Sequence, residues 1–124
     1  MRILDKIVNH LKIEIEVLSE SVPIFELENT KGFDRKCKSL KESIQNSKSG
    51  IICEFKRRSP SNENINYTSN IKEVVKGYEK AGAVGVSILT NKKFFDGSGT
   101  DIINVRDSLN TVSYTHLTLP TNVA

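Results

Sequence analysis

A chain of 124 residues, 37% apolar and 27% charged, has room for one domain at most and is apolar enough to fold rather than stay disordered. Its net charge of +3 suits an anionic substrate but does not by itself argue for nucleic acid. No stretch approaches the roughly 18 apolar residues of a membrane span, and charges interrupt the first apolar run where a signal peptide would need none. Cys37 and Cys53 stand apart, with only His10 and His116 to help them, so the expectation is a reduced, cytoplasmic chain with no metal site.

Leu4, Ile7, Val8, Leu11, Ile15 and Leu18 recur at steps of three and four and predict a helix over about residues 3–20. Pro23 ends it, because the residue before a proline is driven out of the helical region. Ile24, Phe25 and Leu27 predict a short turn before Asn29-Thr30-Lys31-Gly32 breaks the pattern. Phe33, Cys37, Leu40 and Ile44 then predict a second amphipathic helix, whose other face carries Lys31, Arg35, Lys36, Lys38 and Lys41. A charge run of this kind reads first as a solvated face and only second as a nucleic-acid patch, and no aromatic residues interleave with it. Residues 47–50 read as a linker.

The next sixty residues predict strand, helix, strand, helix. The first strand runs over 50–56, and a polar loop follows to about Ser69. Ile71, Val74, Val75, Tyr78 and Ala81 give a helical stripe, with Asn70 as N-cap, Glu73 in the first turn and Gly82 at the close. Residues 83–90 form a nearly continuous apolar run, as expected of a parallel strand buried on both faces. Residues 91–97 read as a loop, and Ser98 with Asp101 three positions on starts a last helix reaching Leu109. This order predicts an α/β fold with parallel strands, in which ligands bind at the carboxyl ends of the strands.

The carboxyl end of the first strand carries the unusual charges. Alternation puts Ile52, Glu54 and Lys56 on one face and Cys53 and Phe55 on the other. Opposite charges two apart on a strand face read either as a structural salt bridge at an edge or as a working pair, and their place at the ligand end favours the second.

Glu54-Phe55-Lys56-Arg57-x-Ser59-Pro60-Ser61 resembles the signature of indole-3-glycerol-phosphate synthase, a (βα)8-barrel lyase of tryptophan biosynthesis. Ser87-Ile88-Leu89-Thr90 followed by Lys93-Phe94-Phe95-x-Gly97-Ser98 is similar to a second motif of that family. The opening at residues 3–8 and the motif at residues 78–83 look like it too, and the likeness covers about residues 1–110. The resemblance implies the N-terminal part of a TIM barrel behind a helical extension: residues 1–49 as the extension, 50–110 as the first two βα units. It implies ring closure, decarboxylation and dehydration of 1-(2-carboxyphenylamino)-1-deoxyribulose 5-phosphate, with no metal and no organic cofactor. Lys56 matches the first-strand lysine that binds substrate and takes part in acid chemistry, and Glu54 the glutamate that orients it. Ser59 matches a substrate-contacting serine, Phe95 and Leu89 the ring pocket, and Ser87 the barrel lining beside them. Phe94 is expected to pack outward, and Arg57 and Arg58 to be solvated or paired rather than catalytic. The implied partner is a phosphorylated small molecule, with no nucleic acid and no membrane, and the resemblance is compatible with a parent fused to or acting beside other tryptophan-pathway enzymes, a choice the sequence leaves open.

The departures from the family are as specific. A full barrel needs eight strands and roughly 250 residues, and two strands are expected here, leaving an incomplete barrel with open edges. The family's general acid lies on the third strand, its general base on the fourth and its phosphate site on the last strands, so the fragment is expected to be inactive alone. Residues 114–121 resemble translated sequencing adapter, and 111–124 are expected to be a non-native tail. The alternatives are another phosphate-binding TIM-barrel enzyme of amino-acid biosynthesis and, from a different class, a basic nucleic-acid-binding module on the Lys31-to-Lys41 face.

Overall fold

The computed structural model describes residues 2–109 and the backbone course of 112–116. The chain divides into two compact units, residues 1–38 and residues 39–124.

In the first unit, α1 (Ile3–Ser21) follows the apolar stripe, with Ile7 and Leu11 buried. Leu4, Ile15 and Leu18 of the same stripe are exposed. The ring of His10 meets the Glu14 carboxylate one turn on at 2.9 Å. Behind Pro23, the expected turn is a short helix, α2 (Ile24–Glu28). The second amphipathic helix expected over Phe33 to Ile44 is not one helix. Residues 31–34 form turns and 35–39 are irregular, with Phe33 and Cys37 exposed. Helix starts only at α3 (Leu40–Gln45), in the second unit, because the Ser39 hydroxyl accepts from the Glu42 amide and caps it there. Lys31, Arg35, Lys36 and Lys38 therefore share no helix face.

The second unit holds the sheet. Strand β1 (Ile52–Phe55) is shorter than the sequence pattern suggests. Helix α4 (Ile71–Lys80) begins where Asn70 accepts from the amides of Lys72 and Glu73. It ends before Gly82, whose φ of +98° is the left-handed conformation that glycine takes freely. Ala81, counted in the stripe, is exposed at the helix end. Strand β2 (Gly85–Leu89) is buried at all five positions, as its unbroken apolar run predicts. A short helix missed by the pattern, α5 (Lys92–Phe95), interrupts the expected loop, because Asn91 caps the Phe94 amide. Helix α6 (Gly99–Arg106) opens on the Ser98/Asp101 capping box that the sequence spacing indicates.

Strands β1 and β2 pair in parallel, with Glu54 opposite Ser87 and Phe55 opposite Ile88. A third strand, β3 (Val112–His116), pairs in parallel on the other side of β2, giving the order β1-β2-β3. Residues 50–110 supply the two strands expected of them, and the third lies in the tail that follows. The alternating Val112, Tyr114 and His116 provide the β-type pattern, and β2 offers an open edge to pair with. The rest of the tail, beyond His116, lies outside the described residues. The described sheet is open, a small parallel arrangement consistent with part of a TIM-like barrel.

One face of this sheet carries the core. Phe55, Val86 and Ile88 pack with Val75 of α4, Val105 of α6 and Leu109, and Ile71, Val74, Tyr78 and Ile102 border them. Each large side chain buried this way contributes about 1.5–3 kcal/mol, more than the few tenths per residue of helix propensity. Packing on the sheet therefore holds α4 and α6 in place. Among the described residues, no helix is long and apolar enough to cross a membrane.

Candidate active site

The opposite face of the sheet carries polar groups. Because side chains alternate, Glu54 and Ser87 project away from the core that Phe55 and Ile88 enter. The Ser87 hydroxyl donates to Glu54 Oε2 at 3.2 Å, and Lys56 Nζ lies 2.8 Å from Glu54 Oε1. One carboxylate thus joins two strand ends. The Lys56 and Glu54 side chains keep 31% and 41% of their exposure. A pair this wet contributes about 0–1 kcal/mol to stability. Lys56 Nζ also stands 5.9 Å from the centre of the Phe95 ring, which is buried. The site therefore presents an ammonium group between a carboxylate and an aromatic wall. Such a group can pair with a substrate anion and donate a proton, and the ring can hold a flat apolar group beside it.

Two loops frame these side chains. After β1, the Lys56 carbonyl accepts from Asn66 Nδ2 at 3.2 Å, and the Arg57 carbonyl accepts from the Ile65 and Asn66 amides. Ser59 sits in a tight turn with Asn62, their amides and carbonyls exchanged at 2.8 and 3.2 Å. Its hydroxyl accepts from the Asn62 amide and lies 3.2 Å from the Ser61 hydroxyl. After β2, Asn91 starts α5 and delivers Phe95, and the chain turns at Asp96 with φ +51°. Gly97 then passes so close to β2 that a Cβ there would lie 2.0 Å from the Leu89 carbonyl oxygen. The Asp96 carboxylate meets Lys92 Nζ at 2.5 Å and accepts from the Tyr67 hydroxyl at 2.9 Å. First Lys92 and then Tyr67 hold this carboxyl below the usual carboxylate range.

The loops are also tied to each other. Arg57 Nη1 and Nη2 donate to Asp101 Oδ2 and Oδ1 at 2.6 and 2.8 Å, a two-pronged ion pair, and Nη1 reaches the Asp96 carbonyl at 3.3 Å. The hydrogen bond to Asp101 raises the guanidinium pKa further above its ordinary value, against the cost of burial. Arg58 Nη2 donates to the Lys93 carbonyl at 2.7 Å. Arg57 is thus ion-paired, whereas Arg58 bonds to backbone carbonyls and its buried Nε has no hydrogen-bond partner among the described residues.

Of the residues singled out from sequence, Glu54, Lys56, Ser87 and Phe95 are in one connected group. Leu89 is buried one step along the strand face from Ser87, with its carbonyl under Gly97. Ser59 is engaged in its own turn, with hydrogen bonds to Asn62 and a hydroxyl contact to Ser61. Phe94 is half-buried beside Lys93, whose Nζ lies 5.5 Å from its ring centre. The roles of Asp101 and Asp96 in the loop contacts escape a reading of spacing. For Asp101 the only local signal is its place three residues after Ser98, which explains the cap and says nothing of Arg57. Among the described residues, no group of three or more His, Cys, Asp or Glu is placed to hold a metal ion.

Comparison with known proteins shows the family. The family model described as indole-3-glycerol phosphate synthase matches residues 4–115. The indole-3-glycerol phosphate synthase of Bacteroides thetaiotaomicron is 38% identical over 104 residues, which is 84% of this chain and 40% of that protein. Those of Bacillus cereus and Bacillus anthracis are 42% and 40% identical over 106 residues, 85% of this chain and 38% of theirs. The chain therefore spans about two fifths of the length of these curated relatives. With the match running through both strand ends and both loops, the chain belongs to the indole-3-glycerol phosphate synthase family.

Proposed function

We propose that this chain supplies the first two βα units of a (βα)8 barrel, residues 50–110, behind a helical extension, residues 1–49, with 111–124 a non-native tail. The parent enzyme is a cytoplasmic lyase that closes the indole ring of 1-(2-carboxyphenylamino)-1-deoxyribulose 5-phosphate and releases carbon dioxide and water. The observation that carries this reading is the Glu54–Lys56–Ser87 group at the carboxyl ends of two neighbouring parallel strands, beside the Phe95 ring. Lys56 pairs with the substrate carboxylate and assists protonation at the carbonyl or the departing hydroxyl. Glu54 orients Lys56 and is itself oriented by Ser87. Phe95 and Leu89 form the apolar wall that holds the aromatic ring close to the carbon it attacks, and Ser59 contacts substrate from the first loop. No metal or organic cofactor enters this scheme.

The 124-residue chain is inactive by itself in this reading. It contains no glutamate after Glu79 and no lysine after Lys93, so it offers neither the family's third-strand acid nor its fourth-strand base. The test is to express the gene as read beyond residue 110, assay it for a fluorescent indole product, and assay the 124-residue chain beside it. Turnover is expected only from the extended protein, and Lys56→Ala is expected to cut it by about 10²- to 10⁴-fold. Turnover by the short chain, or full activity in the extended Lys56→Ala variant, refutes the reading.

A further inference from the structure

We infer that Arg57 and Asp101 are a positioning pair that sets the separation between Lys56 and Phe95. This inference rests on the functional reading above for its significance, though not for its test. Lys56 and Phe95 come from different loops, and no backbone hydrogen bond of a sheet ladder extends to either, since β1 ends at Phe55 and β2 at Leu89. Tyr67 and Arg58 link the loops through the Asp96 carboxylate and the Lys93 carbonyl, and a further tie must fix the residues that adjoin Lys56 and Phe95.

Arg57 does so from the residue next to Lys56. Its two Nη atoms take both oxygens of Asp101, and Nη1 also takes the carbonyl of Asp96, the residue next to Phe95. A planar guanidinium fork that fills both carboxylate oxygens fixes direction as well as distance, which a lysine ammonium at the same place would not. Its own carbonyl is meanwhile fixed by the Ile65 and Asn66 amides, and its guanidinium lies 5.5 Å from the Phe55 ring.

Asp101 is equally constrained. It is 6% exposed, stands in the first turn of α6, and accepts from the Ser98 amide at 3.1 Å. Helix α6 is packed on the core through Val105. The path from the core to the site therefore runs through α6, Asp101 and Arg57 to the backbone that carries Lys56. A branch runs through the Asp96 carbonyl to the end of α5, which carries Phe95. Neither Arg57 nor Asp101 touches Glu54 or Ser87 in this network, so both act through the loops rather than on the reacting groups.

The test uses the full 124-residue chain with its lysines carrying carbon-13 dimethyl labels, and reads the nuclear Overhauser cross-peak between the Lys56 methyls and the Phe95 ring. Lys56→Arg assigns the resonance. Arg57→Ala is expected to abolish the cross-peak while the helical circular dichroism persists. Arg57→Lys, which keeps the charge and loses the fork, is expected to weaken the cross-peak without abolishing it. A full-strength cross-peak in either folded variant overturns the inference. Should Arg57→Ala fail to fold, Arg57→Lys alone decides by the same criterion. Because no substrate is involved, the inference fails if the cross-peak persists at full strength even when the lyase assay succeeds, and it stands if the cross-peak is lost or weakened even when that assay fails.

Discussion

Gly97→Ala tests the geometry of the site directly. Gly97 is buried, and a Cβ built there falls 2.0 Å from the Leu89 carbonyl oxygen, 2.7 Å from Thr90 Cα and 2.8 Å from the Leu89 carbonyl carbon. All three are backbone atoms of the end of β2, so no side chain can swing away to make room. The φ of Gly97 is not in the left-handed region, unlike those of Gly50 and Gly82, so the cost is crowding and not backbone strain. Overpacking of this kind costs about 1–3 kcal/mol, and with backbone on both sides of the contact the upper end, about 3 kcal/mol, applies. With a urea dependence of about 1–3 kcal/mol per molar for small proteins, the unfolding midpoint falls by about 1–3 M. Gly77→Ala is the control. Gly77 lies inside α4, and a Cβ there meets nothing within 4 Å, so relief of glycine's conformational freedom stabilises the chain by about 0.5–1 kcal/mol. The two glycine-to-alanine changes thus have opposite signs in one urea series followed by circular dichroism. In Gly97→Ala the α5 turn must also lift off β2, which the Phe95 ring resonances report. An unchanged midpoint with unchanged Phe95 resonances refutes the close contact on which the placement of Phe95 depends.

Two further outcomes are expected. Phe55→Ala removes a side chain that is 1% exposed at the centre of the core and costs about 3–5 kcal/mol, whereas Phe33→Ala, at a residue 57% exposed, stays within about 0.5 kcal/mol; equal losses in thermal melts would contradict the assignment of the core. Asp96 has its pKa lowered by Lys92 and Tyr67 from the ordinary 3.8. Its contribution to the order of the second loop is therefore complete above the ordinary value and is lost as the pH falls through the depressed folded value. An acid titration followed on the Asp96 carboxyl carbon should show a midpoint below 3.8, and a midpoint at or above it would mean that Lys92 and Tyr67 do not engage it.

The elements of this chain that rest on local chemistry are legible in its sequence. The stripe from Ile71 to Tyr78, the Asn70 cap, the glycine at 82, the unbroken run of β2 and the Ser98/Asp101 box each depend on residues within a few positions of one another. Strand alternation is equally local, and it is enough to put Glu54 and Lys56 on one face and Phe55 on the other. The same local reading over-extends a helix back to Phe33, because residues at helical spacing say nothing about which capping group wins, and Ser39 stops the helix at Leu40. It also passes over α5, since four residues are too few to show a period.

Contacts between distant residues are the part that only the tertiary structure decides. Glu54 meets Ser87 because two strands pair in one particular register out of several that the apolar pattern would allow. Arg57 meets Asp101 across 44 residues, and either alone reads as an ordinary surface charge or helix cap. The close pass of Gly97 over Leu89, and with it the position of Phe95 against Lys56, follows from how the second loop packs on the end of β2. Local sequence determines which faces the groups occupy, because backbone geometry repeats over short distances. Packing and pairing decide which groups meet, because those contacts form only when the strands and helices come together.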